Sequence, residues 1–247
     1  MTKTVLITGA TAGFGRAAAK RFAQGGWNVI GTGRRAARLR ELQDELGGAF
    51  LPLEIDMRDR EAVESLAQLS PPWGDVDLLL NNAGLAPSTD PLPEAEWERI
   101  ETVIGTNVTG LVALTRALLP KIVERKGQII NLSSVAATYP YPGGNVYGAT
   151  KAFVRQFTLN LRADLIGTGV RVTSIEPGMV ETEFTLVRTG SQDASDKVYA
   201  GVNPMTAEDI AETMLWVATL PPHFAVNTLE LMPVNQANGP FAVQREG

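Results

Sequence analysis

A doubly wound α/β fold, a single domain with a mostly parallel sheet covered by helices on both faces (Rossmann-like), is what this chain predicts, on three observations. Short apolar runs alternate with helical patterns from the N-terminus onward. A glycine-containing turn stands directly between the first such run and the first helix. No long charged or Pro/Gly-rich linker divides the 247 residues, a length that one large core accommodates.

Thr4 to Thr8, TVLIT, reads as a buried strand, and the helix after it begins near Gly13, where Phe14, Ala18 and Phe22 form an i, i+4, i+8 stripe. Residues 28–32 supply a second strand. The stretch 36–46 is a charged-outside helix with Leu39, Leu42 and Leu46 on its apolar face, ended by Gly47-Gly48. A third strand covers 50–55, made less regular by Pro52. A helix over about 59–69 leads to a fourth strand at 76–80, and later strands fall at 128–132, 170–175 and 226–231. The stretch 181–204 is long, polar and poor in helix pattern, the character of a substrate loop or lid, although a short helix fits within that length. Residues 235–247, with Gly239-Pro240, read as a C-terminal tail or interface arm.

Composition removes several function classes. The net charge of -5, from 27 acidic and 22 basic side chains, gives no extended attraction for nucleic acid or an anionic membrane. The absence of cysteine excludes a disulfide framework and a cysteine nucleophile. The one histidine, His223, follows Pro221-Pro222 with no companion ligand, so no metal cage is expected. The N-terminal stretch shows no secretory cleavage region, and no apolar segment reads as membrane-spanning, so the cytoplasm is the expected compartment.

The turn T-G-A-T-A-G-F-G carries the first chemical signal. Gly9 can make the tight turn, Gly13 can let the backbone approach a pyrophosphate, and Gly15 can permit close helix packing, with Thr11 and Phe14 completing the segment. Exposed backbone N–H groups at the helix start attract phosphate. At the end of the second strand Gly33 offers no carboxylate where an NAD site commonly carries one, whereas Arg34 and Arg35 can make charge-assisted contacts to a 2′-phosphate. NADP(H) is therefore the expected cofactor, although either arginine can instead simply solvate the helix start. Asp56 can accept from an adenine amino group or cap the following helix. The N-N-A-G segment, with Asn82, Ala83 and Gly84, shapes a cofactor cleft or stabilises its own turn.

Tyr147 is followed four residues later by Lys151 in V-Y-G-A-T-K, a spacing that puts both on one helix face. A neighbouring ammonium is expected to ease deprotonation of a phenol whose ordinary pKa is about 10. Such pairs also occur on ordinary amphipathic helices, so the surrounding motifs decide. Ser134 lies thirteen residues upstream with Ser133 beside it, and chemistry alone leaves the choice between the two serines open. Asn107, within a helical region, can bond its own backbone. P-G-M-V-E-T can bring Pro177, Gly178, Val180 and Thr182 to the nicotinamide carboxamide, or form a local turn.

In this order, over nearly the whole chain, T-G-A-T-A-G-F-G, N-N-A-G, Ser134, Y-G-A-T-K and P-G-M-V-E-T resemble the short-chain dehydrogenase/reductase family. The resemblance implies NAD(P)-dependent interconversion of alcohols and carbonyls, with Asn107, Ser134, Tyr147 and Lys151 as the catalytic group. It favours Ser134 over Ser133, gives Asn107 a kink and a water that links Lys151 to solvent, and implies a homotetramer, with a dimer left open. The chain is further similar to the branch of that family that acts on small 3-hydroxy acids, serine-like substrates included. That similarity is carried by T-G-R-R, the Tyr139-Pro140-Tyr141 stretch, G-G-N-V-Y-G-A-T-K-A-F-V-R-Q-F and N-T-L-E-L-M-P-V.

For the substrate, Ser134, Asn145, Tyr147 and Arg188 are the candidate binding residues. Arg188 can attract a carboxylate or be an exposed charge. Phe184, Leu186 and Val187 can form an apolar wall, and Tyr139 and Tyr141 can line the pocket or pack between subunits. A reductase of another ketone, quinone or sugar-derived carbonyl, and a non-catalytic NADP-binding sensor, are the competing classes.

Overall fold

Most strands of the sheet are short and predominantly apolar, and alternate residues feed opposite faces. The computed structural model describes residues 2–86, 90–201 and 203–238, so the part of the expected tail from Gly239 onward lies outside the described residues. β1 (Thr4–Thr8) is buried along its whole length. Its Val5 and Ile7 join one core layer, with Phe22, Leu39 and Met214, while Leu6 joins the other, with Ile30, Leu79, Leu114 and Ile122. Burial on both faces is why these strands read as continuous apolar runs.

In chain order the elements are β1, α1 (Gly13–Gln24), β2 (Asn28–Gly33), α2 (Ala36–Leu46), β3 (Phe50–Glu54), α3 (Arg60–Ser65) and β4 (Val76–Asn81). Then come α4 (Trp97–Ile104), α5 (Leu111–Glu124), β5 (Gln128–Leu132), α6 (Asn145–Asp164), β6 (Arg171–Pro177), α7 (Glu183–Thr189), α8 (Gln192–Tyr199), α9 (Ala207–Thr219) and β7 (Thr228–Leu231). The seven strands form one sheet in the order β3-β2-β1-β4-β5-β6-β7, and every pairing is parallel. The order reverses between β1 and β4, which opens a crevice at the C-terminal strand ends, the place where such sheets bind ligands.

Pro52 is accommodated because β3 is an edge strand. Ile55 donates to the Gly33 carbonyl (3.1 Å), so by alternation the position of Pro52 turns its missing N–H away from β2. The expected helix over 59–69 is shorter: Asp59 caps α3 by accepting from the Ala62 amide, and a 3₁₀ turn, Leu66–Gln68, finishes the segment.

Two expectations change. The stretch 181–204, read as a loop or lid with room for a short helix, holds two helices, α7 and α8; Thr182 starts α7 by accepting from the Phe184 amide. Secondly, α4, a π-helical turn at Gly105–Gly110 and α5 form one rod, Trp97–Glu124, of membrane-spanning length, with an 18-residue window whose mean hydropathy is 1.4. Half of its apolar window is buried, and Leu114, Leu118 and Ile122 sit in the core, so the rod belongs to the fold. A Cβ on Gly110 would come within 2.2 Å of the Met57 carbonyl oxygen, which shows how closely the π turn approaches the segment after β3.

Candidate active site

The crevice at the β1/β4 reversal widens into a cleft of about 890 Å³, walled at one end by the β1–α1 turn and at the other by Tyr147 and α7. Thr8 pins the floor: its hydroxyl accepts from the amides of Asn82 (3.0 Å) and Ala83 (2.9 Å), and its carbonyl takes the Asn82 amide side chain at 2.8 Å. Gly9 has φ +72°, a left-handed conformation suited to glycine. A Cβ on Gly15 would meet the Gly9 carbonyl oxygen at 2.3 Å and the Asn82 side chain at 2.5 Å, so the helix packs against the turn as closely as backbone allows.

α1 starts at Gly13 from Ala12, with no side-chain cap and no acid in its first turn. Its leading N–H groups are therefore without the side-chain acceptor that usually covers them, which suits a pyrophosphate. Thr11, Gly13, Phe14, Arg34, Arg35, Asp56 and Gly84 all line the cleft. Asp56 is gripped by Arg58 (Nη2 to Oδ2 2.7 Å), which holds its carboxyl below the usual range; the capping role falls to Asp59 instead. With no carboxylate at the end of β2 and basic residues there, the chain's own donors fit a dinucleotide bearing a 2′-phosphate.

The two serines separate cleanly. Ser133 donates to the Lys151 carbonyl (2.7 Å) and braces α6, whereas Ser134 reaches Tyr147 and also donates to the Pro177 carbonyl (3.3 Å). Burial pushes the Tyr147 phenol above the ordinary tyrosine range, with Tyr141 adding to the rise; the Ser134 hydrogen bond and the Arg188 charge pull it back.

Lys151 is 5% exposed, and burial lowers it to about 8. Its ammonium donates to the Leu132 carbonyl (2.7 Å) and lies 5.7 Å from the centre of the Tyr147 ring. The expected easing of the phenol is thus not realised in net: Ser134 and Arg188 offset part of the rise from burial, and Lys151 is directed at a strand carbonyl.

Asn107 does not bond its own turn. Its Oδ1 accepts from the Leu85 amide (2.8 Å), and its Nδ2 donates to the Leu85 carbonyl (2.8 Å) and to Thr150 Oγ1 (3.0 Å). Gly84 sits between the two polar groups: a Cβ there would lie 3.2 Å from Lys151 Nζ and 3.6 Å from Asn107 Oδ1.

Pro177, Gly178 and Val180 lead from β6 along the cleft, and Thr182 faces Gly13 across it, 3.6 Å from where a Gly13 Cβ would stand. On α7, Phe184 packs its ring 5.6 Å from that of Tyr147, and the Arg188 guanidinium lies 5.4 Å from the Tyr141 ring centre and 6.0 Å from that of Tyr147. Leu186 is half-buried, and the side chain of Val187 lies outside the described residues. Asn145 is not brought to the site. As the first residue of α6 it accepts from the Val146 amide (2.6 Å) and borders a surface groove with Ile104 and Phe153.

Four contributors were not singled out from sequence. Arg38 and Glu183 meet at 2.8 Å, Tyr199 donates to the Val180 carbonyl (2.9 Å), and Gln236 accepts from the Met179 amide (2.8 Å). Only Arg38 left a local signal, lying one turn beyond Arg34 and Arg35. The assembled groups can hold a hydroxyl or carbonyl oxygen between Ser134 and Tyr147 and exchange a proton with it.

A family description, short chain dehydrogenase, matches residues 3–192. Serine 3-dehydrogenase of Rhizobium radiobacter is 60% identical over 248 residues, covering 100% of both chains. The NADP-dependent 3-hydroxy acid dehydrogenase YdfG of Salmonella typhi is 54% identical over 245 residues, 98% of this chain and 99% of that one. Among solved structures, the closed form of a serine dehydrogenase complexed with NADP+ matches with a TM-score of 0.95 at 53% identity, covering 98% of this chain and 100% of the other. A serine dehydrogenase from Escherichia coli matches at 0.83 and 52%, covering 95% and 99%.

Proposed function

The chain belongs to the short-chain dehydrogenase family, and from that premise we propose that it interconverts a small 3-hydroxy acid such as serine and its semialdehyde, with NADP(H) as hydride carrier. When bound, the nicotinamide supplies hydride acceptance or donation; the chain supplies alignment and the proton. The glycine turn and the uncapped start of α1 would hold the pyrophosphate, with the basic residues after β2 at the 2′-phosphate.

Ser134 and Tyr147 share the substrate oxygen, and Tyr147 donates the proton in reduction or takes it in oxidation. Burial keeps the phenol protonated at neutral pH, so the arrangement described here is poised for donation. Lys151, lowered to about 8, can hold or release a proton near neutrality, and Asn107 keeps the Leu85 backbone and Thr150 fixed around it.

Arg188 carries the acid specificity. Its Nε is shut off from solvent without a hydrogen-bond partner among the described residues, beside the Tyr147 ring; a buried donor of that charge calls for an anion. A short hydroxy acid suits that pairing of phenol and guanidinium. α7 and α8 would then form the substrate lid.

The test is a purified-enzyme comparison of serine, 3-hydroxypropionate and 3-hydroxyisobutyrate against simple alcohols with NADP+. Selective turnover of the acids is expected, and Arg188→Gln should raise their KM by about tenfold or more, the value of a charge-assisted hydrogen bond. Preference for neutral alcohols overturns the reading.

A homotetramer is also proposed, supported by exposed apolar side chains at Ile104 and Phe153 on the α4–α6 face and Trp216 on α9.

A further inference from the structure

Arg34 and Arg35 are neighbours in sequence with different engagements. Arg34 is exposed at the rim of the cleft, where its charge acts on Asp56. Arg35 is already committed: Nε and Nη2 donate to Thr11 Oγ1 at 3.1 and 3.0 Å, and Nη1 meets Glu183 Oε2 at 3.1 Å. The other Glu183 oxygen takes Arg38 Nη1 at 2.8 Å.

One carboxylate therefore joins the β1–α1 turn, the start of α2 and the first residue of α7. Arg38 and Arg35 hold that carboxyl below the usual glutamate range, so the bridge stays ionised at neutral pH. Residue 184, next to Glu183, is the phenylalanine packed on Tyr147, and Arg188 follows within the same short helix. The far side of α7 is held by Tyr199, whose hydroxyl lies 2.6 Å from Thr185 Oγ1. With the Arg188 Nη2 bond to the Gly143 carbonyl (3.3 Å), these side-chain ties hold α7 over the reacting phenol, and Glu183 is the one that fixes its first residue.

We propose that Glu183, gripped by Arg35 and Arg38, is a positioning residue that straps α7 over the substrate end of the cleft. Three of the five N–H groups of Arg35 donate to Thr11 and Glu183, whereas Arg34 makes no hydrogen bond among the described residues, so Arg34→Gln serves as the cofactor control that leaves the strap intact. The proposal rests on the function above only in taking Tyr147 as the reacting centre.

The experiment compares Glu183→Gln, Glu183→Arg and Arg34→Gln by three readouts: amide exchange across α7 in the NADPH-bound protein, dissociation constants for NADPH and NADH by fluorescence titration, and KM against kcat. Glu183→Gln is expected to speed α7 exchange by about tenfold, as loss of a charge-assisted tie would. It should raise KM for the hydroxy acid similarly, with kcat changed less than about threefold. The ratio of NADH to NADPH dissociation constants should stay within about twofold, whereas Arg34→Gln should collapse that ratio by about tenfold and leave α7 protected. Glu183→Arg should open α7 further, and adding Arg38→Glu should restore its protection. Unchanged α7 exchange in Glu183→Gln, or a cofactor ratio that moves as it does in Arg34→Gln, overturns the proposal. A wrong substrate class would alter the kinetics alone, leaving exchange and cofactor binding to report on the strap.

Discussion

A lysine with almost no solvent contact is an energetic liability whenever it is charged, and Lys151 is such a residue. Its affinity for the proton is lowered to about 8 in the folded chain against 10.5 ordinarily. Between those values the unfolded chain binds a proton that the folded chain has shed, so stability rises with pH through that window; below it both states are charged and the cost of burial is borne in full. The difference in unfolding free energy between the protein and Lys151→Met should therefore move in favour of the unaltered protein by roughly 1–3 kcal/mol from pH 7.5 to 10. Denaturant titrations across that range would reveal it, and a flat difference would mean the ammonium keeps its ordinary affinity. Residue identities were legible at this scale where a motif fixed both spacing and order, as for Tyr147 with Lys151. Side-chain direction was not: chemistry alone left Ser133 and Ser134 open and only the family resemblance favoured Ser134, while Asn145, the first residue of its helix, stands exposed at a surface groove rather than at the site. Glu183 gave no warning, since its partners lie 145 and 148 residues away.

Among the elements, the rod Trp97–Glu124 makes the most exacting contact. Its π turn brings Gly110 against the Met57 carbonyl and sets Asn107 on Leu85 at the edge of the cleft, so an added methyl must push the two segments apart. Gly110→Ala should cost about 1–3 kcal/mol in denaturation, the usual range for overpacking a close contact, and should lower kcat more than NADPH affinity, because the displaced turn carries Asn107. An alanine variant as stable and active as the parent would refute the contact. The strands were legible because burial on both faces writes them as apolar runs, and α1 and α2 because stripe and glycine stop agree. α7 and α8 were legible only as room for a short helix, for the opposite reason. They are short, and long-range ties such as Glu183 to Arg38 and Tyr199 to Val180 hold them in place, ties that no local pattern records.

For the whole molecule, the strand–helix alternation was enough to specify a parallel sheet, while the strand order and its reversal between β1 and β4 emerged only from the assembled chain. Subunit contacts are less legible still, because a lone chain displays just the faces left over. Phe153 is 39% exposed on α6 and Ile104 is 42% exposed on α4, bordering one apolar groove. If that groove is covered in a tetramer, Phe153→Glu should reduce the mass measured by light scattering to that of a dimer or monomer, because a charge would be buried unpaired. A monomeric mass for the unaltered protein at micromolar concentration would dismiss the assembly.

Asn107 links the segment after β4, the π turn and α6 through a single amide side chain. Those three segments consequently cannot be varied one at a time, whereas α7 and α8 hang from the sheet by a few separable side-chain ties. The chain is thus divided into a part whose segments must change together and a part whose helices can change separately. Substitutions in two short helices can therefore reshape the substrate end of the cleft while the segments joined by Asn107 stay in place.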